Sequence, residues 1–300
     1  MLWNTTRFAI DLTRPRVMGI VNVTPDSFSD GGQHAQTAQA LRHCEQLLRG
    51  GADILDIGGE STRPGSPAVG LAEELDRVVP LVREAVTLGV PISVDTYKPE
   101  VMQAVLDLGA DIINDIWALR QPGAQSVVAG HSRCGVCLMH MHRDPQTMQA
   151  APMGGDVVDQ VRAFLRDAAQ SLHAQGVARE RIVLDYGIGF GKTVEQNFAL
   201  LAQSAQVLTL GYPLLAGWSR KSSLGRVTGL EVADRLAPSV AAAILAVERG
   251  ARIVRVHDVR ETVAAVDVWC AMQGTERFKE HAAEAAVLHN KPSIYGGDIP

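Results

Sequence analysis

The chain has 300 residues, of which 46% are hydrophobic, and it carries a formal net charge of −5. That is enough apolar material for one large core. The chain includes no long basic run, so we expect no nucleic acid partner. We expect no membrane association either, because no apolar run reaches the length of a spanning helix and no signal peptide begins the chain. The 4 cysteines are too few for a disulfide framework, so a cytoplasmic protein is expected.

The first predicted element is a strand over residues 17–23, an apolar run interrupted only by Gly19 and Asn22. A short run of this kind is typical of a strand buried on both faces, as parallel sheets require. It breaks into a turn-forming segment that ends at Gly32, so polar side chains follow its carboxyl end.

The same unit of strand and helix recurs along the chain. Further strands are predicted at residues 54–58, 91–94, 112–113, 135–141, 181–184, 212–216 and 252–256. Helices are predicted near residues 37–49, 72–88, 99–109, 123–129, 157–174, 194–208, 239–249 and 261–272. Gly50, Gly89 and Gly250 are typical helix terminators.

Eight right-handed units of this kind close a barrel, so the predicted fold class is α/β, a (β/α)8 TIM barrel in a single domain. Residues 1–16 are predicted as a lead-in, 17–274 as the barrel and 275–300 as a polar helix or tail. A doubly wound open sheet is the alternative, but it requires a glycine-rich nucleotide turn early in the chain.

Two groups of polar residues follow the strands. The first is Asp95, Asn114 and Asp185, and a flat heterocycle with amino and ring N–H groups would give these carboxylates the donors they need. The alternative is that each carboxylate caps a helix or pairs with an arginine of the barrel.

The second group consists of Asn22, Arg63, Arg255 and His257. Arginines and a histidine around one point form an anion site suited to phosphate, and Asn22 offers an oxygen to Mg²⁺. The alternative is that the arginines form surface salt bridges.

Three short patterns do not carry a function. Gly189–Thr193 resembles the end of a P-loop, but Tyr186 occupies the position of its first glycine. Cys134–Cys137 forms a C-x-x-C inside an apolar run, where both thiols are interpreted as packing residues. His140 and His142 have the spacing of a metal pair on one face of a strand, but no third ligand is evident nearby.

Seven segments together resemble the dihydropteroate synthase family of pterin-binding TIM barrels, over roughly residues 10–270. They are Gly19–Gly32, Asp56–Gly65, Ile92–Thr96, Ile113–Ile116, Leu138–Met141, Ser219–Ser222 and Arg255–Asp258. The resemblance implies a transferase of folate biosynthesis that condenses 6-hydroxymethyl-7,8-dihydropterin pyrophosphate with 4-aminobenzoate. It also implies Mg²⁺ as cofactor, inhibition by sulfonamides and a homodimer formed by helices far from the strand ends.

The resemblance further implies a role for each matching residue. The pterin would be held by Asp95, Asn114, Met139, Asp185, Gly217 and Lys221. The pyrophosphate would be held by Asn22, Arg63, Arg255 and His257, with Asn22 also binding the metal. The 4-aminobenzoate site would be lined by Phe28, Thr62, Pro64, Phe190, Ser219 and Ser222. The catalytic set would be Lys221, Arg63, Arg255, Asp95 and Asp185.

The chain departs from the family pattern after the sixth strand, where Tyr186 replaces the usual proline. Tyr186 and Trp218 are expected to add volume at the carboxyl end of the barrel, and Ile188 is a lesser change. The sequence leaves open how the three affect activity and sulfonamide sensitivity. The segments after the first two predicted strands are expected to close over the site as lids. Two alternative functions are a non-catalytic pterin-binding paralogue, suggested by Tyr186, and a pterin-dependent corrinoid methyltransferase, which would not need Asn22.

Overall fold

The structure is a computed structural model that describes residues 1–23, 33–61, 67–144, 147–148 and 152–274. Within these ranges, the strands are β1 (Leu2–Asn4), β2 (Ala9–Asp11), β3 (Arg16–Asn22), β4 (Ile54–Gly58), β5 (Ile92–Asp95), β6 (Ile112–Asp115), β7 (Gly135–Met139), β8 (Ile182–Asp185), β9 (Leu214–Ala216) and β10 (Ile253–Val256). The helices are α1 (Gln33–Arg49), α2 (Leu71–Ala85), α3 (Pro99–Asp107), α4 (Ala124–Gly130), α5 (Val157–Ala174), α6 (Val194–Ala202), α7 (Ser204–Leu208), α8 (Ser222–Thr228), α9 (Leu236–Glu248) and α10 (Val259–Met272).

Strands β3 to β10 form a closed barrel in which each strand is parallel to both of its neighbours. The barrel closes where β10 pairs with β3, with Val254 opposite Val17. The predicted (β/α)8 TIM barrel is therefore confirmed, and the open-sheet alternative is wrong.

Alternation of side chains along the strands decides which residues face the barrel interior. An apolar layer fills the amino-terminal half of the interior with one residue from each of seven strands: Met18, Ile54, Ile112, Cys137, Val183, Leu215 and Ile253. Residues two positions further along the strands face the same interior at its carboxyl end. That set includes Asn114, Asp185 and Arg255, three of the polar residues that the sequence marked as functional.

The predicted lead-in folds as an antiparallel hairpin, β1 with β2, that the sequence analysis missed. Trp3 is fully buried with the interior apolar layer, and its indole N–H donates to the carbonyl oxygen of Arg181 at 2.9 Å. The hairpin therefore covers the amino-terminal end of the barrel. Its strands have three residues each, too few for a periodic pattern to predict them.

Two helical predictions differ from the structure. The helix predicted near residues 194–208 is divided into α6 and α7 just before Ser204, whose hydroxyl donates to the carbonyl oxygens of Leu200 and Leu201. Such side-chain bonds compete with the regular helical pattern. Helix α8 was not predicted, because its serines and Gly225 have weak helix propensity.

Among the helices that the structure describes, none has the length and apolar character needed to span a bilayer.

Candidate active site

Arg255 is the centre of a buried network at the carboxyl end of the barrel. From β10, its Nε donates to Asp56 at 2.6 Å and its Nη2 donates to Asp95 at 2.7 Å. Asp56 also accepts hydrogen bonds from the Asn114 amide at 3.1 Å and from the Ser93 hydroxyl at 2.6 Å. One arginine thus pairs with two carboxylates, and these three side chains carry one net negative charge when both acids are ionised.

The sequence analysis did not assign a role to Asp56. It lies in the middle of β4 and its side chain is fully buried. A carboxylate inside an otherwise apolar strand requires a partner, and that signal alone marks the position as unusual. The partner is Arg255, 199 residues away in the chain, which local pattern cannot identify.

Asp95 lies at the end of β5 and is buried, with 9% of its surface exposed. Burial raises the pKa of Asp95 to about 7, opposed by the charge of Arg255 and reinforced by nearby acids that include Asp56. Its ionised form therefore needs additional donors, and a ligand with N–H groups at this position would supply them.

Asp185 lies at the end of β8, where a tight turn begins. Its carboxylate accepts the backbone N–H of Gly187 at 2.7 Å. Burial raises the pKa of Asp185 to about 6, while that hydrogen bond and the charges of Lys221, Lys192 and Arg255 lower it. Asp95 and Asp185 are thus two acids whose ionised forms are stabilised by cations around the same end of the barrel.

An apolar wall stands beside these acids. Met139, at the end of β7, packs in one cluster with Phe190, Ile116, Met141 and Met148, and Tyr97 and Trp117 pack against it. The Lys221 ammonium lies 4.2 Å from the centre of the Phe190 ring, a cation–π contact. At Gly217 an added Cβ would meet no atom within 4 Å, so the interior is open on that side.

Three of the four residues predicted to bind an anion, namely Asn22, Arg255 and His257, lie in the described part of the chain. Asn22 ends β3, the strand that pairs with β10, so it lies on the same side of the barrel as Arg255 and His257. The hydroxyl of Ser219 lies 3.0 Å from Nδ1 of His257 and accepts the backbone N–H of His257 at 3.1 Å. Ser219 thus orients His257, in addition to any contact with 4-aminobenzoate.

Comparison with known proteins agrees with this geometry. Residues 18–257 match the family described as pterin binding enzyme. The chain is 50% identical over 277 residues to dihydropteroate synthase of Neisseria meningitidis serogroup B, a match that covers 90% of this chain and 97% of that protein. The chain belongs to the dihydropteroate synthase family. The family resemblance predicted from the sequence and the transferase class are thereby confirmed.

Solved structures of dihydropteroate synthases have the same fold. The Burkholderia cenocepacia enzyme complexed with 7,8-dihydropteroate is 51% identical with a TM-score of 0.83, and the match covers 92% of this chain and 98% of that one. The Yersinia pestis enzyme in a sulfonamide drug complex is 44% identical with a TM-score of 0.86, and the match covers 92% and 100% of the two chains.

The residues that depart from the dihydropteroate synthase pattern do not face the site. Tyr186 and Trp218 are almost completely buried among the side chains outside the barrel strands, where Phe198 packs 5.1 Å from the Trp218 ring. Tyr186 directly follows β8 and Trp218 lies two residues after β9, and both side chains belong to the cluster packed outside the barrel strands. The expectation that Tyr186 and Trp218 add volume at the carboxyl end of the barrel is wrong, and Ile188 belongs to the same outer cluster.

Several predicted residues lie outside the described part of the chain, namely Phe28, Thr62, Arg63 and Pro64, as do residues 24–32 and 62–66 of the two predicted lids and the tail 275–300. Ser222 is described and lies exposed in the first turn of α8.

The described residues contain no group of three or more His, Cys, Asp or Glu side chains that would hold a metal ion. His140 packs edge-on against Phe164 at 4.9 Å, and burial lowers the pKa of His140 to about 2, so its imidazole is neutral.

Proposed function

We propose that this member of the dihydropteroate synthase family condenses 6-hydroxymethyl-7,8-dihydropterin pyrophosphate with 4-aminobenzoate to give 7,8-dihydropteroate and pyrophosphate. The observation that carries the proposal is the pair of buried carboxylates, Asp95 and Asp185, beside an apolar wall. A relative that covers nearly the same length of chain was solved with 7,8-dihydropteroate bound.

The acids would bind the edge of the pterin. A carboxylate only accepts hydrogen bonds, and the aminopyrimidine edge of a pterin presents amino and ring N–H donors. Each such charge-assisted bond contributes roughly 1.5–3 kcal/mol. Asn114 lies beside these acids on β6 and donates to Asp56, which fixes its amide. Met139 would pack on the ring face, and Lys221 would border the pterin from the loop after β9.

The reaction breaks the bond between the pterin methylene carbon and the pyrophosphate oxygen, and the electron pair leaves with pyrophosphate. The remaining pterin cation is delocalised, and the negative potential of Asp95 and Asp185 would stabilise it. The aniline nitrogen of 4-aminobenzoate then forms the new C–N bond and loses a proton. Because an aniline is already a free nucleophile, this chemistry needs no strong general base.

Residues at the ends of β3 and β10 would receive the pyrophosphate. Asn22 ends β3, His257 directly follows β10, and Arg255 carries a positive charge on β10 two residues before His257. Mg²⁺ usually takes few protein ligands and keeps its waters and substrate phosphates, so the amide oxygen of Asn22 suits it without an acidic cluster. When bound, Mg²⁺ would neutralise charge on the leaving pyrophosphate.

Two further features belong to the same proposal. Leu245 on α9 and Val268 and Met272 on α10 are apolar side chains that are 52%, 72% and 66% exposed. These adjoining helices are where we place the contact surface of a homodimer. All 4 cysteines are buried thiols, which suits a cytoplasmic protein.

Turnover with the two substrates tests the function. The purified chain is incubated with pterin pyrophosphate and 4-aminobenzoate, with and without Mg²⁺, and both products are measured. We expect equal amounts of dihydropteroate and pyrophosphate, and competition by sulfonamides against 4-aminobenzoate. A protein that binds pterin in calorimetry but forms no product would be the non-catalytic paralogue. Tyr186, which suggested that alternative, does not face the site.

A further inference from the structure

Lys192 is a buried lysine that has no role in the function proposed above. It lies in the connection from β8 to α6 and is only 3% exposed. Its Nζ donates to the carbonyl oxygens of Gly187 at 2.7 Å, Phe190 at 3.1 Å and His140 at 3.3 Å. An ammonium group has three N–H bonds, so these three acceptors match its donors.

The backbone around Lys192 turns at three glycines. Gly187, Gly189 and Gly191 have φ angles of +67°, +82° and +71°, in the left-handed region. A Cβ on Gly187 would lie 1.9 Å from the carbonyl oxygen of His140. The turn is therefore pressed against the end of β7, and Lys192 holds together carbonyl oxygens from both segments.

The same turn carries two residues of the active site. Asp185 opens it and accepts the N–H of Gly187, whose carbonyl oxygen accepts from Lys192. Phe190 closes it, and its ring forms part of the apolar wall and contacts Lys221. A change at Lys192 would therefore reach both the acid and the wall without any direct contact with substrate.

Lys192 also adds positive charge next to Asp185. Burial raises the pKa of Asp185, and the cations around it lower that pKa again. Among the described residues, the charged and titratable groups that interact electrostatically with Asp185 include the cations Lys192, Lys221 and Arg255 and the uncharged groups of Cys137 and Tyr186. Asp56 and Asp95 lie beyond Arg255, which pairs with both.

Among the described residues, the ionisable groups that interact with Lys192 include Asp185, Lys221 and His140. Burial lowers the pKa of Lys192 to about 7, the charge of Asp185 raises it and that of Lys221 lowers it. His140 is neutral because burial lowers its pKa. Asp185 is therefore the acid that favours the ammonium form of Lys192.

We propose that Lys192 is a positioning residue of this active site, whose ammonium group fixes the turn between Asp185 and Phe190 and favours the Asp185 carboxylate. The inference rests on the proposed function, because it takes Asp185 as a residue that binds the pterin. Lys192 acts through Asp185 and Phe190 and touches no substrate.

The test is Lys192→Met, which keeps an unbranched side chain and removes the charge. The kcat/KM for pterin pyrophosphate is measured from pH 5 to pH 9 for the wild type and the variant. We expect at least a tenfold loss at pH 7, mainly as a higher KM for the pterin substrate. We also expect the acid limb of the profile to move by at least half a pH unit to higher pH, because protonated Asp185 binds the pterin poorly.

Asp185→Asn, alone and combined with Lys192→Met, is the matched control. Because the side chain at this position can no longer ionise after the substitution, Lys192→Met should produce no further movement of the acid limb in that background. An equal movement in both backgrounds, or an unmoved limb in the single variant, overturns the inference.

Two readouts separate this inference from folding and from the proposed function. Thermal melting establishes that each variant folds, and if Lys192→Met does not, Lys192→Gln is used, because its amide keeps two N–H donors. If neither folds, ¹³C NMR of the wild type must show Asp185 and Lys192 titrating together, and independent titration overturns the inference. Absence of turnover in the wild type would refute the proposed function, whereas an active wild type with an unchanged Lys192→Met profile would refute only the role of Lys192.

Discussion

Asp95→Asn should stabilise the fold while it weakens pterin binding. Asp95 and Asp56 share the single charge of Arg255, so the substitution leaves one cation with one carboxylate. Burial raises the pKa of Asp95 from 3.8 to about 7. At about 1.36 kcal/mol per pH unit, ionised Asp95 lowers the free energy of unfolding by up to about 4 kcal/mol.

The sign follows from the pKa in each state. The unfolded chain ionises Asp95 near pH 4 and the folded chain only near pH 7, so this contribution lowers the stability as the pH rises between the two values. The pKa of about 7 already includes the attraction of Arg255 for ionised Asp95, so no separate hydrogen-bond energy is subtracted. The amide introduced by Asp95→Asn is neutral like protonated Asp95, and we therefore expect a gain of up to about 4 kcal/mol at pH 8 and no gain at pH 4.5.

Urea unfolding of the wild type and of Asp95→Asn at both pH values measures this difference. The matched control is Asp53→Asn, because Asp53 is one carboxylate between two arginines, Arg14 and Arg16, at 2.9 Å from each. Its loss leaves two cations without their acid, so the control should be less stable than the wild type. The reasoning that two carboxylates share one arginine would be refuted by an Asp95→Asn variant that is less stable than the wild type at pH 8. An equal change in the free energy of unfolding at both pH values would also refute it.

Three other outcomes are expected. Arg255→Met leaves Asp56 and Asp95 without their cation. It should lower the free energy of unfolding by about 3–5 kcal/mol and kcat/KM by at least a hundredfold. Near-wild-type values of both would contradict the role of Arg255 as the cation of these two acids. Gly187→Ala should fail to fold or lose activity, as circular dichroism and turnover will show, because its Cβ would lie 1.9 Å from the carbonyl oxygen of His140; full activity would mean that the turn is not held as described. Removal of Mg²⁺ with a chelator should abolish turnover but leave the affinity for a pterin without pyrophosphate unchanged in calorimetry, and equal loss of both would contradict a metal role confined to the pyrophosphate.

The sequence predicts the barrel well because its strands are buried on both faces. Residues 17–23 show this most clearly, and β3 is buried over its whole central part. The inward-facing Asp95, Asn114 and Asp185 could be predicted for the same reason, since each is a polar residue at the end of an apolar run. Strands of three residues are too short for a periodic pattern, so the hairpin that covers the other end of the barrel could not be predicted.

The pairings within the site could not be predicted from local pattern. Asp56 and Arg255 are 199 residues apart, and only the closed barrel brings their strands to the same interior. The outward direction of Tyr186 could have been predicted, because it directly follows the inward-facing Asp185 at the end of β8. Its difference from the family pattern carries no information about the direction of its side chain.

Binding of the pterin by the two buried acids can be seen in a crystal structure of the protein with 6-hydroxymethyl-7,8-dihydropterin pyrophosphate and Mg²⁺. We expect the amino and ring N–H groups of the pterin to donate to Asp95 and Asp185, with the pyrophosphate beside Asn22 and His257. A pterin whose N–H edge lies away from both carboxylates, or a pyrophosphate at the opposite side of the barrel end, would contradict this expectation.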